Sequence, residues 1–191
     1  MSRFLKTAVA LIPFALTVAC TDPAKAPAEA AMSAAETAMK SLEGDVAKYA
    51  PEGVQGIQKT FASAKELIAK QDYKGALAAA GDIPAKVKEV VAAAAAKKDQ
   101  LLKAWRDVEG KLPGMVSAIK SRLGILSQSK KLPAGLDKAA LAKANDGVAA
   151  VESGWAKVVD DFKGGKLTEA SAGAKELLAK GSEIMKSLGM Q

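Results

Sequence analysis

The chain of 191 residues holds one thiol, Cys20, and no histidine. Cysteine chemistry at that single position is therefore the most reactive option it offers: attack by a thiolate, metal ligation or acylation. Without histidine, a Ser-His-Asp triad, a Cys-His dyad and an imidazole general base are all excluded. One cysteine closes no internal disulfide and builds no Cys/His zinc cluster. Carboxylates remain. Adjacent Asp160 and Asp161 would point about 100° apart on a helix, too far apart to converge on one reacting atom. Glu43 with Asp45, and Asp82 with Glu89, stand among lysines at positions that a helix gives to solvent. Gly164-Gly165-Lys166-Leu167-Thr168 has the residue types of a phosphate loop without the spacing Gly-x-x-x-x-Gly-Lys-Ser/Thr, so it reads as a chain reversal. The expectation is no catalytic residue, no metal site and no cofactor, which leaves Cys20 as the one functional position.

What surrounds Cys20 gives it a role. Arg3 and Lys6 form a positive start, and residues 7–19 carry no charge. Such a run falls short of the roughly 20 apolar residues that a spanning helix needs, so it reads as an export signal. Leu16-Thr17-Val18-Ala19-Cys20 resembles the lipobox of bacterial lipoproteins, in which the cysteine becomes the acylated first residue of the mature chain. The family usually has leucine where Thr17 stands. The alternative is ordinary signal cleavage nearby with Cys20 a spare thiol. By the same resemblance, Asp22 lies one place beyond the position whose aspartate favours inner-membrane retention, so outer-membrane sorting is expected. Residues 1–19 are thus read as the signal peptide, 20–28 as a lipidated cysteine on a flexible Pro/Ala tether, and 29–191 as one domain.

Without Arg3 and Lys6, 26 basic groups face 21 acidic ones, and among the basic groups only Arg106 and Arg122 are arginine. Nucleic-acid readers favour arginine forks and stacking aromatics, and aromatics are only 4% of this chain, so no nucleic acid is expected. The lysines suit solvated faces. Clusters at Lys97-Lys98 and Lys130-Lys131 leave open a weak attraction to anionic headgroups or wall polymer.

Alanine, with 41 copies, dominates the composition and favours helix. Apolar residues step by three and four along Met32, Ala35, Met39, Leu42, Val46 and Tyr49, again along Val54, Ile57, Phe61, Ala64 and Ile68, and again along Leu141, Ala144, Val148, Val151, Trp155, Val158 and Phe162. Such stripes belong to helices packed along their length, and no stretch sustains a period of two. The spacing predicts an all-α fold, an elongated antiparallel bundle of five to six helices. Breaks are expected at Pro51, at Gln71-Asp72, at Leu112-Pro113-Gly114, over residues 127–135 and at Gly164-Gly165. A long third helix should cover residues 73–111 with a kink at Pro84. Trp105 and Trp155 fall on stripes and should be core. At an offset of 94 the chain echoes itself over residues 50–93 and 144–187: Gly53 with Gly147, Val54 with Val148, Phe61 with Trp155, Val90-Val91 with Ile184-Met185. This predicts two related helical hairpins with positions 61 and 155 in equivalent layers.

Tyr49-Ala50-Pro51-Glu52, an Ala/Lys helix, and then Gln71-Asp72-Tyr73-Lys74-Gly75-Ala76 resemble a family of uncharacterised bacterial lipoproteins and envelope proteins over residues 28–100. The turn Gly-Lys-Leu-Thr-Glu-Ala at 165–170 also resembles that of tetratricopeptide hairpins, without their 34-residue period. The lipoprotein resemblance implies a helical protein of the outer membrane facing the periplasm, held there by palmitate-type acylation, and no activity. The expected function is a non-enzymatic scaffold or interaction module for an unidentified envelope protein. The alternative is a periplasmic carrier holding an apolar or lipid ligand in a groove left by Gly147, Gly154, Gly173 and Gly181. Self-association through the Ala92 to Ala96 stretch is a further expectation.

Overall fold

A computed structural model describes residues 22–190. Their regular structure is helical throughout: α1 (Lys25–Met39), a 3-10 turn (Lys40–Leu42), α2 (Asp45–Tyr49), α3 (Pro51–Ala69), α4 (Tyr73–Gly81), α5 (Ile83–Gln128), α6 (Lys138–Lys163) and α7 (Leu167–Ser187). The protein is all-α, with its helices packed pairwise into a bundle.

Local chemistry sets the helix ends. Asp72 caps α4 by accepting a hydrogen bond from Gly75 N–H at 2.9 Å, and Asp137 caps α6 by accepting from Ala140 N–H at 2.7 Å. The α3–α4 and α6–α7 reversals match bond for bond. In one, Gln71 N–H donates to Ile68 and Asp72 N–H to Leu67; in the other, Gly165 N–H donates to Phe162 and Lys166 N–H to Asp161. Gln71 and Gly165 occupy the left-handed region in the two turns, with φ 61° and 75°. This is the six-to-one, five-to-two closure that ends helices at such residues.

Four expected boundaries are corrected. The long third helix does not run through residues 73–111 with a kink. It stops at Gly81, and Pro84 lies in the first turn of a new helix, where its missing N–H leaves no carbonyl wanting. Leu112-Pro113-Gly114 does not punctuate: α5 continues through Pro113 for 46 residues, roughly 69 Å. Leu112 and Ile119, each 1% exposed, hold the flanking turns in the core. The first stripe is not one helix, because Gly44 takes φ 61° and separates α2 from the 3-10 turn. Finally, residues 25–28, expected within the flexible tether at 20–28, are helical: α1 starts at Lys25 and Ala28 is fully buried.

The hairpin echo extends to whole three-helix units. Unit 1 is α1, α3, and α4 with the start of α5; unit 2 is the rest of α5, α6 and α7. At the offset of 94, Val54 and Val148, Ile57 and Val151, Ala64 and Val158, Ala76 and Ala170, Ala80 and Ala174, and Ile83 and Leu177 are all buried. A Cβ built on Gly53 would lie 2.8 Å from Val90, and one on Gly147 would lie 2.9 Å from Ile184, the same close approach in each unit. The first helices correspond at an offset of 84: Ala28, Ala35 and Leu42 in α1 match Leu112, Ile119 and Leu126 in α5, all buried. The third helix of unit 1 thus continues as the first helix of unit 2. The units succeed one another along α5. Lys25 and the α3–α4 reversal lie at one pole, the α6–α7 reversal at mid-length beside Lys48, and loop 129–137 with Leu188 at the other pole.

Candidate functional site

Cys20, the expected acylation site, lies outside the described residues. The chain enters the structure at Asp22, whose carboxylate accepts a hydrogen bond from Ala24 N–H at 2.8 Å and turns the chain into α1. Glu29, Met32 and Ser33, in the first turns of α1, face Phe61, Lys65 and Ile68 of α3 across a cleft of about 290 Å³. No described helix is long and apolar enough to cross a membrane.

The carboxylates named from the sequence are dispersed. Asp161 pairs with Lys166 at 3.2 Å across the reversal, and Asp45 pairs with Lys98 at 2.6 Å. Glu43, Asp82, Glu89 and Asp160 are exposed. Among the described residues, no group of three or more Cys, Asp or Glu side chains is placed to hold a metal ion. Lys98 donates a hydrogen bond to Asp45 and feels its charge, which together raise the ammonium pKa above the ordinary 10.5. This pair fastens α2 to α5 at mid-length. Lys130 and Lys131 are exposed in the loop at the far pole. Of Ala92 to Ala96, only Ala94 is buried.

The tryptophans do not share one role. Trp105 is 3% exposed, whereas Trp155 is half-buried on the wall of a cleft between α5 and α6. Positions 61 and 155 are therefore equivalent in register but differ in burial. Trp105 lies 5.1 Å from Trp155 and 4.2 Å from Phe162, its ring within 11° of parallel to both. Residues seven apart on a helix are roughly 10.5 Å apart along its axis, so the Trp105 ring is held between the two α6 rings. Its indole N–H is buried with no partner, which marks the stack as one of ring packing alone. The sequence placed all three residues on stripes but carried no sign that one ring would be inserted between two.

Of the glycines expected to leave a ligand groove, Gly147 lines a cleft between α6 and α7, whereas Gly154, Gly173 and Gly181 leave none. Cβ atoms on Gly154 and Gly173 would lie 2.8 Å from Leu177 and Val158, and one on Gly181 would lie 2.5 Å from Met115 Sδ. Neighbouring side chains fill the space, and the glycines serve as points of close helix approach. Further open clefts lie between the first and second helices of each unit. In unit 1 two clefts meet at Glu36; in unit 2 two meet at Lys120, where a 2.8 Å ion pair to Glu152 crosses from α5 to α6. Neither a protein-family model, nor a curated protein, nor a solved structure matches this chain.

Proposed function

We propose that this chain is a non-enzymatic lipoprotein of the bacterial envelope, acylated at Cys20, sorted to the outer membrane and standing into the periplasm as a rigid scaffold for another envelope protein. The observation that carries this reading is the polarity of the fold. α1 starts five residues after Cys20, at the pole opposite loop 129–137, and one 46-residue helix runs through both units. A lipid at Cys20 would hold one end of a rod against the bilayer and present the other tens of ångströms away. Several acyl chains suffice for this, since each buried methylene contributes roughly 0.8 kcal/mol. The lipobox resemblance and the lone cysteine support the same reading.

Palmitate labelling in a bacterial host, with Cys20→Ser as the control, tests it. The native chain is expected to take the label and sediment with membranes, and Cys20→Ser to lose the label and appear in the soluble fraction. Label retained by Cys20→Ser would overturn the proposal. Pull-down from envelopes with intact Cys20 then identifies the partner. The carrier alternative has one observation in its favour: a cleft of about 630 Å³ between α6 and α7, lined in part by Ala144, Gly147 and Ile184, within the range of small-molecule sites. A lipid that co-purifies reproducibly would favour the carrier over the scaffold.

A further inference from the structure

Between Glu109 and Asp137 the chain holds five basic residues, Lys111, Lys120, Arg122, Lys130 and Lys131, and no acidic one. Three of the five gather where α5 ends. Arg122, half-buried, donates from Nε to the Leu188 carbonyl at 3.4 Å, which sets its guanidinium beside the end of α7. Lys130 and Lys131 stand just past Gln128 in the loop 129–137 and are exposed, as is Lys138 at the start of α6. The acid next along the chain, Asp137, has its carboxylate engaged in the α6 cap. The opposite pole is balanced: Asp22, Glu29, Glu66 and Asp72 offset Lys25, Lys65, Lys70 and Lys74.

A second observation falls at the same tip. Ile125, in the last turn of α5, is 62% exposed, the one large hydrophobic side chain so placed among the described residues. The α5 stripe reaches the core through Leu123 and Leu126, so packing does not call for an isoleucine between them. Helix propensity would favour alanine or lysine there. Arg122 and Ile125, three residues apart, are neighbours on the helix surface. An apolar side chain among cations suits the interface of an anionic bilayer, where ammonium groups meet phosphates and the apolar group enters the acyl boundary. A soluble polyanion would take the charges and leave the isoleucine in water. We propose that this tip, with Arg122, Ile125, Lys130, Lys131 and Lys138, docks on the anionic phospholipid headgroups of a second bilayer. The docking deepens the anchoring proposal and rests on it only for its consequence: with Cys20 acylated at the opposite pole, the rod bridges two lipid surfaces.

The mature chain, residues 20–191 with Cys20→Ser, keeps every described helix and carries no lipid of its own. Its sedimentation with vesicles of phosphatidylcholine alone, and of phosphatidylcholine mixed with phosphatidylglycerol, is measured at low ionic strength. Binding to the mixed vesicles is expected to exceed that to the neutral ones by at least about tenfold and to fall as salt is added. Lys130→Glu combined with Lys131→Glu should weaken it by at least about tenfold, and Ile125→Gln by about three- to tenfold. Lys70→Glu combined with Lys74→Glu, the same charge change at the balanced pole, should alter it by less than about twofold. All five positions are exposed, so the variants keep the fold. Equal losses from the two lysine pairs, or equal binding to neutral vesicles, would overturn the docking tip. Ile125→Gln binding as tightly as its parent would assign the charges to a soluble polyanion and overturn the bilayer as partner. Because the vesicles meet an unacylated chain, these outcomes leave acylation at Cys20 untouched. Loss of palmitate from the native chain would overturn the anchor and leave the tip standing.

Discussion

Replacing Trp105 with alanine is expected to lower the unfolding free energy by about 3–5 kcal/mol, a large share of the 5–15 kcal/mol typical of a domain. Trp105 is 3% exposed and fills the space between Trp155 and Phe162, so its removal opens a cavity bounded by two helices. Loss of its unpartnered N–H returns about 1 kcal/mol, which places the result in the lower half of that range. Trp155→Ala is expected to lose only about 1–2 kcal/mol, because that ring is already partly exposed on the cleft wall. Both variants should lose the paired circular-dichroism bands that two stacked indoles produce. Urea titration followed by far-ultraviolet dichroism measures the first difference, and near-ultraviolet dichroism the second. Equal losses for the two tryptophans would mean that Trp105 does not fill the space between the α6 rings.

The second large effect has the opposite sign. Pro113 is exposed in the interior of α5, where it deprives the Glu109 carbonyl of its helical partner and costs about 3 kcal/mol relative to alanine. Pro113→Ala is therefore expected to stabilise the chain by about 2–3 kcal/mol, seen as a higher urea midpoint with an unchanged slope. Lower stability in Pro113→Ala would show that a bend at this proline is required for Leu112 and Ile119 to reach α6 and α7 together.

Several features of the fold are legible in the residues because their causes are local. Gln71-Asp72 and Gly164-Gly165 reverse the chain because an aspartate cap or a glycine satisfies the turn without outside help. The 94-residue echo between Gly53 and Gly147 was visible as matched letters, and it corresponds to the same close approach against Val90 and Ile184. The departures have non-local causes. Pro113 fails to end α5 because the core on both sides outweighs one lost hydrogen bond. Pro84 breaks the chain where a kink was expected because Ile83, fully buried, fixes where the new helix begins. Residues 25–28 read as tether by composition, yet Ala28 packs fully into unit 1. The clefts beside Phe61 and Trp155 were not legible, because a stripe shows which face is apolar and not how far two helices separate. Cys20 is singled out by its solitude and by the resemblance of its surroundings to a lipobox, and its role rests on the proposal above.

The most direct test of the anchored-rod account is the intact mass of the chain extracted from bacterial membranes. The account predicts a mature chain that begins at Cys20 and carries the added mass of acyl chains at that residue. A chain that retains residues 1–19, or one with an unmodified cysteine recovered from the soluble fraction, would contradict it.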